Sequence, residues 1–142
     1  MRSSERRTGL WIRGQRGHRD VRGALIRYAR WLRCQIEFPV RVSVYLSPKL
    51  TIRTMHGDEV SASIFLPWRR TDEPYIRIAT GDYSALFRER GRDNALAAYL
   101  ASLSHEVIHY RQWVETGTFW ERGVSTSARR MVERYAKCTT HP

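Results

Sequence analysis

Apolar positions recur along the chain at two different spacings, and the change of spacing divides the chain into elements. Residues 20–35 repeat apolar side chains at intervals of four, three and four, which predicts an amphipathic helix. The repeat consists of Val21, Leu25, Tyr28 and Leu32. Beyond Pro39 the spacing falls to two, which predicts a strand over residues 40–46. Its apolar positions are Val40, Val42, Val44 and Leu46.

A second stretch of alternation predicts a hairpin. We expect a strand over residues 50–55, a turn at His56-Gly57-Asp58 and a returning strand over residues 60–66. Glycine and aspartate at the turn favour this connection. A further short strand is expected at residues 75–80, before Gly81-Asp82. These elements predict a small, mostly antiparallel sheet of about four strands.

The last third of the chain predicts helices. A long apolar stripe begins after Asp93, a plausible N-cap, and stops before Gly117. Its members are Leu96, Leu100, Leu103, Val107, Tyr110 and Val114. A final helix is expected from Ser125 or Ser127 to about Lys137. We therefore expect an α+β fold in a single domain over residues 20–142, preceded by a basic, flexible tail over residues 1–19.

The strongest predicted helix carries the chemistry. It contains His105-Glu106-Val107-Ile108-His109, an H-E-x-x-H motif. Histidines four residues apart lie on one helical face, so both imidazoles can bind one metal ion, for which zinc is suited. Glu106 can take a proton from water and return it to a leaving group. The alternative, two interior histidines with a buried ion pair, would bury polar groups at a cost.

This segment resembles the active-site helix of the zincin metallopeptidases, of the gluzincin type, in a minimal single-domain form. The resemblance implies a zincin-like fold and a peptide or protein substrate aligned by an edge strand, expected at residues 75–80. It also implies a third zinc ligand from a glutamate on a later helix. Glu133, followed by Ala136, fits that place best. Glu121 remains possible, whereas Glu115 stays on the helix of His109 and points away from the metal.

The resemblance also implies a group that stabilises the oxyanion of the reaction. Tyr110, Tyr135 and His141 are candidates, and no motif selects one of them. The functional prediction is a zinc-dependent metallopeptidase or related amide hydrolase. His105, His109 and Glu133 are expected to bind Zn²⁺, and Glu106 to act as general base.

The charge of the chain keeps a second class of function open. The formal net charge is +11, and ten arginines fall within the first 33 residues. Such a positive field attracts polyanions, although a solvated basic surface explains it equally well. The alternative function is a nucleic-acid-associated binding protein in which the metal is structural or absent. No helix-turn-helix or zinc-finger spacing supports this alternative.

The remaining features concern location. No stretch approaches the roughly 18 apolar residues of a membrane span. The arginine-rich start has no apolar segment typical of a secretory signal. We therefore expect a cytoplasmic protein with no membrane contact, in which Cys34 and Cys138 are free thiols.

Overall fold

The computed structural model describes residues 7–142 and contains four helices and six short strands. The helices are α1 (Arg19–Gln35), α2 (Tyr83–Arg90), α3 (Arg92–Thr116) and α4 (Val124–Ala136). The strands are β1 (Leu10–Arg13), β2 (Val42–Ser47), β3 (Ile52–Arg53), β4 (Glu59–Val60), β5 (Ala62–Phe65) and β6 (Tyr75–Ala79). The α+β class predicted from the sequence is confirmed.

The main sheet is mostly parallel, so the antiparallel arrangement expected from the sequence is wrong. Its strand order is β1-β2-β6-β5, with β1, β2 and β6 parallel and β5 antiparallel to β6. Parallel neighbours need long crossover connections. Helix α1 provides the first, and residues 48–74 provide the second. The edge strand next to β6 is therefore β5, and the strand at residues 75–79 lies inside the sheet.

The predicted hairpin forms, but as a separate two-stranded sheet. Ile52 pairs with Val60 and Arg53 with Glu59 in antiparallel register. The turn contains Gly57 with a φ of 86°, a conformation that only glycine adopts readily. The expected return strand is interrupted after β4, and its second half, β5, joins the main sheet instead.

The predicted tail is partly a structural element. Strand β1 lies within it, and Leu10 is completely buried. The Gly9 N–H donates to the carbonyl of Phe38, and the Val42 N–H donates to the carbonyl of Gly9. Residues 10–13 therefore belong to the folded domain, which corrects the expected start at residue 20. Residues 1–6 of the predicted tail lie outside the described residues.

The core lies on one side of the sheet. Apolar strand residues on this face are buried together with the apolar stripes of α1 and α3, and α4 packs against α3. The strand residues concerned are Leu10, Val42, Val44, Leu46, Ile76 and Ile78. Helix α2 was missed by the periodicity because it buries only Tyr83.

Two further expectations concern surface and location. Cys34 and Cys138 are exposed and unpaired. None of the helices in residues 7–142 is both long and apolar enough to cross a membrane.

Candidate metal centre

Helix α3 fixes the positions of the motif residues. Its predicted apolar stripe is buried from Leu96 to Tyr110, which anchors the helix against the sheet and α1. His105 and His109 lie beside this stripe, one turn apart. Their ring centroids are 4.9 Å apart, with the rings nearly perpendicular. His109 is 3% exposed and the side chain of His105 is 29% exposed, so the pair lies at the edge of the core.

The third acidic group comes from the loop between α3 and α4. Gly117, with a φ of 79°, ends α3 in the left-handed conformation and lets the chain turn back. Glu121 thereby reaches both histidines. Its Oε1 lies 3.1 Å from Nε2 of His105 and 3.2 Å from Nε2 of His109. One ligand atom from each of these three residues lies within 4.8 Å of the others.

The structure does not bring Glu133 to this cluster, which corrects the ligand set expected from the sequence. Helix α4 packs on α3 through Val124, Ala128, Met131 and Tyr135. Glu133 lies off this buried stripe and is exposed on the helix surface. Two residues beyond Met131 correspond to about 200° around the helix, so the carboxylate points away from the packed face. The described residues therefore offer Glu121 as the third ligand.

Gln112 determines how His109 faces the cluster. The backbone N–H of Trp120 donates to Oε1 of Gln112 over 3.0 Å. The same oxygen lies 3.1 Å from Nδ1 of His109, so this ring nitrogen must be the donor. In the neutral ring, Nε2 of His109 then carries a lone pair directed at Glu121. Gln112 thus holds both the tautomer of His109 and the loop that carries Glu121.

The three side chains could hold a metal ion, and their spacing is compatible with zinc. An Nε2 lone pair and a carboxylate oxygen repel each other. A proton or a metal cation between them would stabilise this arrangement. Zinc binds histidine nitrogen and carboxylate oxygen at about 2.0–2.2 Å, which places tetrahedral ligand atoms about 3.3 Å apart. The carboxylate oxygens of Glu121 lie 3.1–3.2 Å from Nε2 of His109. Two nitrogens and one oxygen leave a fourth position for water.

Glu106 lies in the same turn of α3 but on its more buried side. It is 8% exposed, and among the described residues it forms no ion pair. Burial raises the pKa of Glu106 to about 7, and the negative charge of Glu121 adds to the rise. The buried ion pair considered from the sequence is therefore not formed within residues 7–142.

The three side chains considered for oxyanion stabilisation are engaged elsewhere. The hydroxyl of Tyr110 donates to the carbonyl of Val40 and accepts from the N–H of the same residue. Tyr135 packs its ring against Tyr28 and Trp31. Nδ1 of His141 lies 2.8 Å from Oδ2 of Asp93. The structure places none of them in the His105, His109 and Glu121 cluster.

An open cleft of about 690 Å³ lies on a neighbouring side of α3, and none of His105, Glu106, His109 and Glu121 lines it. It lies between α3, α4 and the intervening loop, and shares Gln112 and Trp120 with the surroundings of His109. Phe119, in the same loop, contacts His109 with ring centroids 5.2 Å apart. The loop therefore forms one wall of the cleft and covers the imidazole of His109.

Comparison with known proteins adds no relative. No protein family, no curated protein and no solved structure matches the chain.

Proposed function

We propose that this protein is a zinc-dependent hydrolase that cleaves amide bonds in peptides or proteins. The observation that carries the proposal is the cluster of His105, His109 and Glu121, whose ligand atoms lie within 4.8 Å of one another. Glu106, from the same H-E-x-x-H motif, is buried beside this cluster. Three ligands with an open position are typical of catalytic rather than structural zinc sites.

Each residue has a distinct role in the proposed reaction. His105, His109 and Glu121 would hold the metal, and Gln112 orients the ring of His109 through Nδ1. A bound zinc ion would supply Lewis-acid activation of water and of the scissile carbonyl. The carboxylate of Glu106 takes the proton from the attacking water. It then delivers that proton to the leaving amine nitrogen, so the residue ends in its starting state.

One feature supports a peptide as the substrate. Within the described residues, strand β5 is an edge of the main sheet and packs against α3, and an extended chain would pair with its outer edge. The ligand from a loop, rather than from α4, departs from the gluzincin arrangement. The proposal is therefore the broader class of zinc hydrolase.

The test combines metal content with activity on a mixed peptide library. Protein purified without chelators or a histidine tag should contain one equivalent of zinc and cleave peptides. Glu106→Gln should retain the zinc and lose at least about a hundredfold in rate, because the amide cannot accept the proton of water. A second carboxamide variant, Glu89→Gln on the exposed surface of α2, should behave like the wild type. Full activity in Glu106→Gln, or protein without metal, would refute the proposal.

A further inference from the structure

The sheet has one face that no described helix covers. Parallel sheets normally have helices on both faces, yet here α1 and α3 pack only against the core face. The opposite face carries the alternate residues of β1, β2, β6 and β5. The β3–β4 hairpin encloses one end of this face, where Arg77 donates from Nη2 to the carbonyl of Arg53. We call this surface the open face.

Aromatic side chains form a continuous row on the open face. Phe65 of β5 is paired in register with Tyr75 of β6, and their rings stack with centroids 5.2 Å apart. Tyr75 in turn contacts Tyr45 of β2 at 6.2 Å. Tyr45 is 49% exposed, and the other two are exposed to a similar degree. Water-exposed aromatic rows are uncommon on a folded surface unless they have a ligand.

Cationic side chains lie next to this row. A cleft of about 430 Å³ at the carboxyl ends of β1 and β2 is lined by five of them, and by no aspartate or glutamate of the described chain. They are Arg13, Arg16, Lys49, Arg53 and Arg77. In the sheet register, Arg13, Tyr45 and Arg77 are consecutive neighbours across β1, β2 and β6. The charged cleft and the aromatic row are therefore continuous.

The guanidinium groups in the cleft retain unused donors. Nε of Arg77 is buried and has no hydrogen-bond partner within residues 7–142. Arg13, which lines the cleft, donates from Nε to the hydroxyl of Ser43, and this bond leaves its terminal nitrogens free of it. Glu59 is the nearby acidic residue, and it accepts from Thr51 and pairs with Arg53 at 3.6 Å. A buried donor without a partner is costly, and the positive charge of the five cationic side chains favours an anion in this cleft.

We propose that the open face binds single-stranded nucleic acid. The phosphates would lie in the cationic cleft, and the bases would stack on Tyr45 and its aromatic neighbours. Unpaired bases expose the ring faces that such stacking requires, whereas a duplex hides them. An acidic peptide would satisfy the arginines but not the aromatic row. This site lies across the sheet from the metal centre, and it does not depend on the proposed hydrolase function.

The test measures the fluorescence anisotropy of a labelled 20-nucleotide strand with the full-length protein. The same sequence is used as single-stranded DNA, as RNA and as duplex DNA, which identifies the kind of strand. We expect either single strand to bind at least about tenfold more tightly than the duplex, because base stacking contributes strongly per base. Five phosphate contacts predict a roughly hundredfold loss of single-strand affinity between 50 and 200 mM salt.

Substitutions distinguish binding at the open face from attraction to the general positive charge of the protein. Lys49→Gln with Arg53→Gln should weaken single-strand binding at least about tenfold and reduce the salt dependence by more than one unit of slope. Arg88→Gln with Arg90→Gln removes the same charge from α2 and should change affinity less than threefold. Tyr45→Leu should weaken binding about five- to a hundredfold, since it removes one stacking ring. Thermal unfolding of each variant verifies the fold.

Three results would contradict the proposal that the open face binds a single strand. Equal affinity for duplex and single strand, or equal losses in the two charge variants, would reduce the binding to nonspecific attraction and overturn the proposal. Competition by polyglutamate as strong as by the nucleic acid would identify an acidic protein as the better occupant. Glu106→Gln should bind the strand like the wild type. Failure of hydrolysis therefore leaves this proposal intact, and failure of strand binding leaves the hydrolase proposal intact.

Discussion

The decisive perturbation of the metal centre is Glu121→Ala. Glu121 contributes one of three proposed ligands, through a carboxylate that lies 3.1–3.2 Å from both imidazoles. Its side chain is 69% exposed, so truncation should change the free energy of unfolding of the metal-free protein by less than about 0.5 kcal/mol. A loss of zinc in this variant would then report on the metal site rather than on the fold.

The expected loss follows from the number of ligands. Removal of a group that merely supports a ligand commonly costs about 10- to 100-fold in affinity, so removal of a ligand should weaken zinc binding at least about tenfold. Each factor of ten corresponds to about 1.4 kcal/mol of zinc-dependent stabilisation at saturating metal. For a chain of this length that lowers the zinc-induced rise in Tm by about 5 °C. Competitive chelator titration and thermal unfolding with zinc give two independent measurements.

Glu133→Ala is the matched control. It removes the same charge from an exposed position on α4, outside the cluster. We expect its zinc affinity to stay within about twofold of the wild type. If Glu133→Ala released the metal while Glu121→Ala retained it, the geometry described for the loop would be wrong. The gluzincin-type ligand set expected from the sequence would then be restored.

Two further substitutions test the residue that orients His109 and a hydrogen bond in the core. Gln112→Leu should weaken zinc binding about 10- to 100-fold in the chelator titration, because it removes the acceptor that orients His109, whereas Gln112→Glu should retain most of the affinity. Wild-type affinity in Gln112→Leu would refute the orienting role. Tyr28→Phe removes a buried hydroxyl that is hydrogen-bonded to Ser104, and should lower the free energy of urea unfolding by about 1 kcal/mol. The exposed control Tyr75→Phe should change it by less than about 0.5 kcal/mol, and equal effects would contradict the assignment.

Helices α1, α3 and α4 were predictable because each of them buries a regular stripe, whereas α2 buries only Tyr83. The stripe of α1 at Val21, Leu25, Tyr28 and Leu32 is buried as expected, and the ends of α3 fall within two residues of the prediction. Sheet topology was not predictable in the same way. Alternation shows that one face of a strand is buried, but it does not show which strand lies beside it or in which direction. Strand β1 was missed because its three apolar residues, Leu10, Trp11 and Ile12, stand in a run of charged and polar residues.

For the candidate metal site, too, the sequence predicts what lies close along the chain but not what the fold brings together. Helical spacing alone places His105 and His109 on one face, and the structure has them in contact. The third ligand depends on where the chain goes after α3, which no periodicity records. A signal was present in Gly117 and Gly123, which enclose a short loop and allow it to fold back. Glu121 lies within that loop, whereas the gluzincin resemblance implied a ligand on a later helix, where Glu133 lies.

The residues of the candidate metal centre lie close together along the chain, and this affects how readily the centre forms. Residues 105–121 supply both imidazoles, the carboxylate ligand, the buried Glu106 and the orienting Gln112. Ordering a short loop costs little entropy, and the hydrogen bond from the Trp120 N–H to Gln112 fixes that loop onto α3. Since α3 is also the central helix of the core, both imidazoles and Glu106 stand on a rigid element. In the proposed site the ligand atoms are therefore already close together, and little of the free energy of metal binding would be spent on ordering the chain.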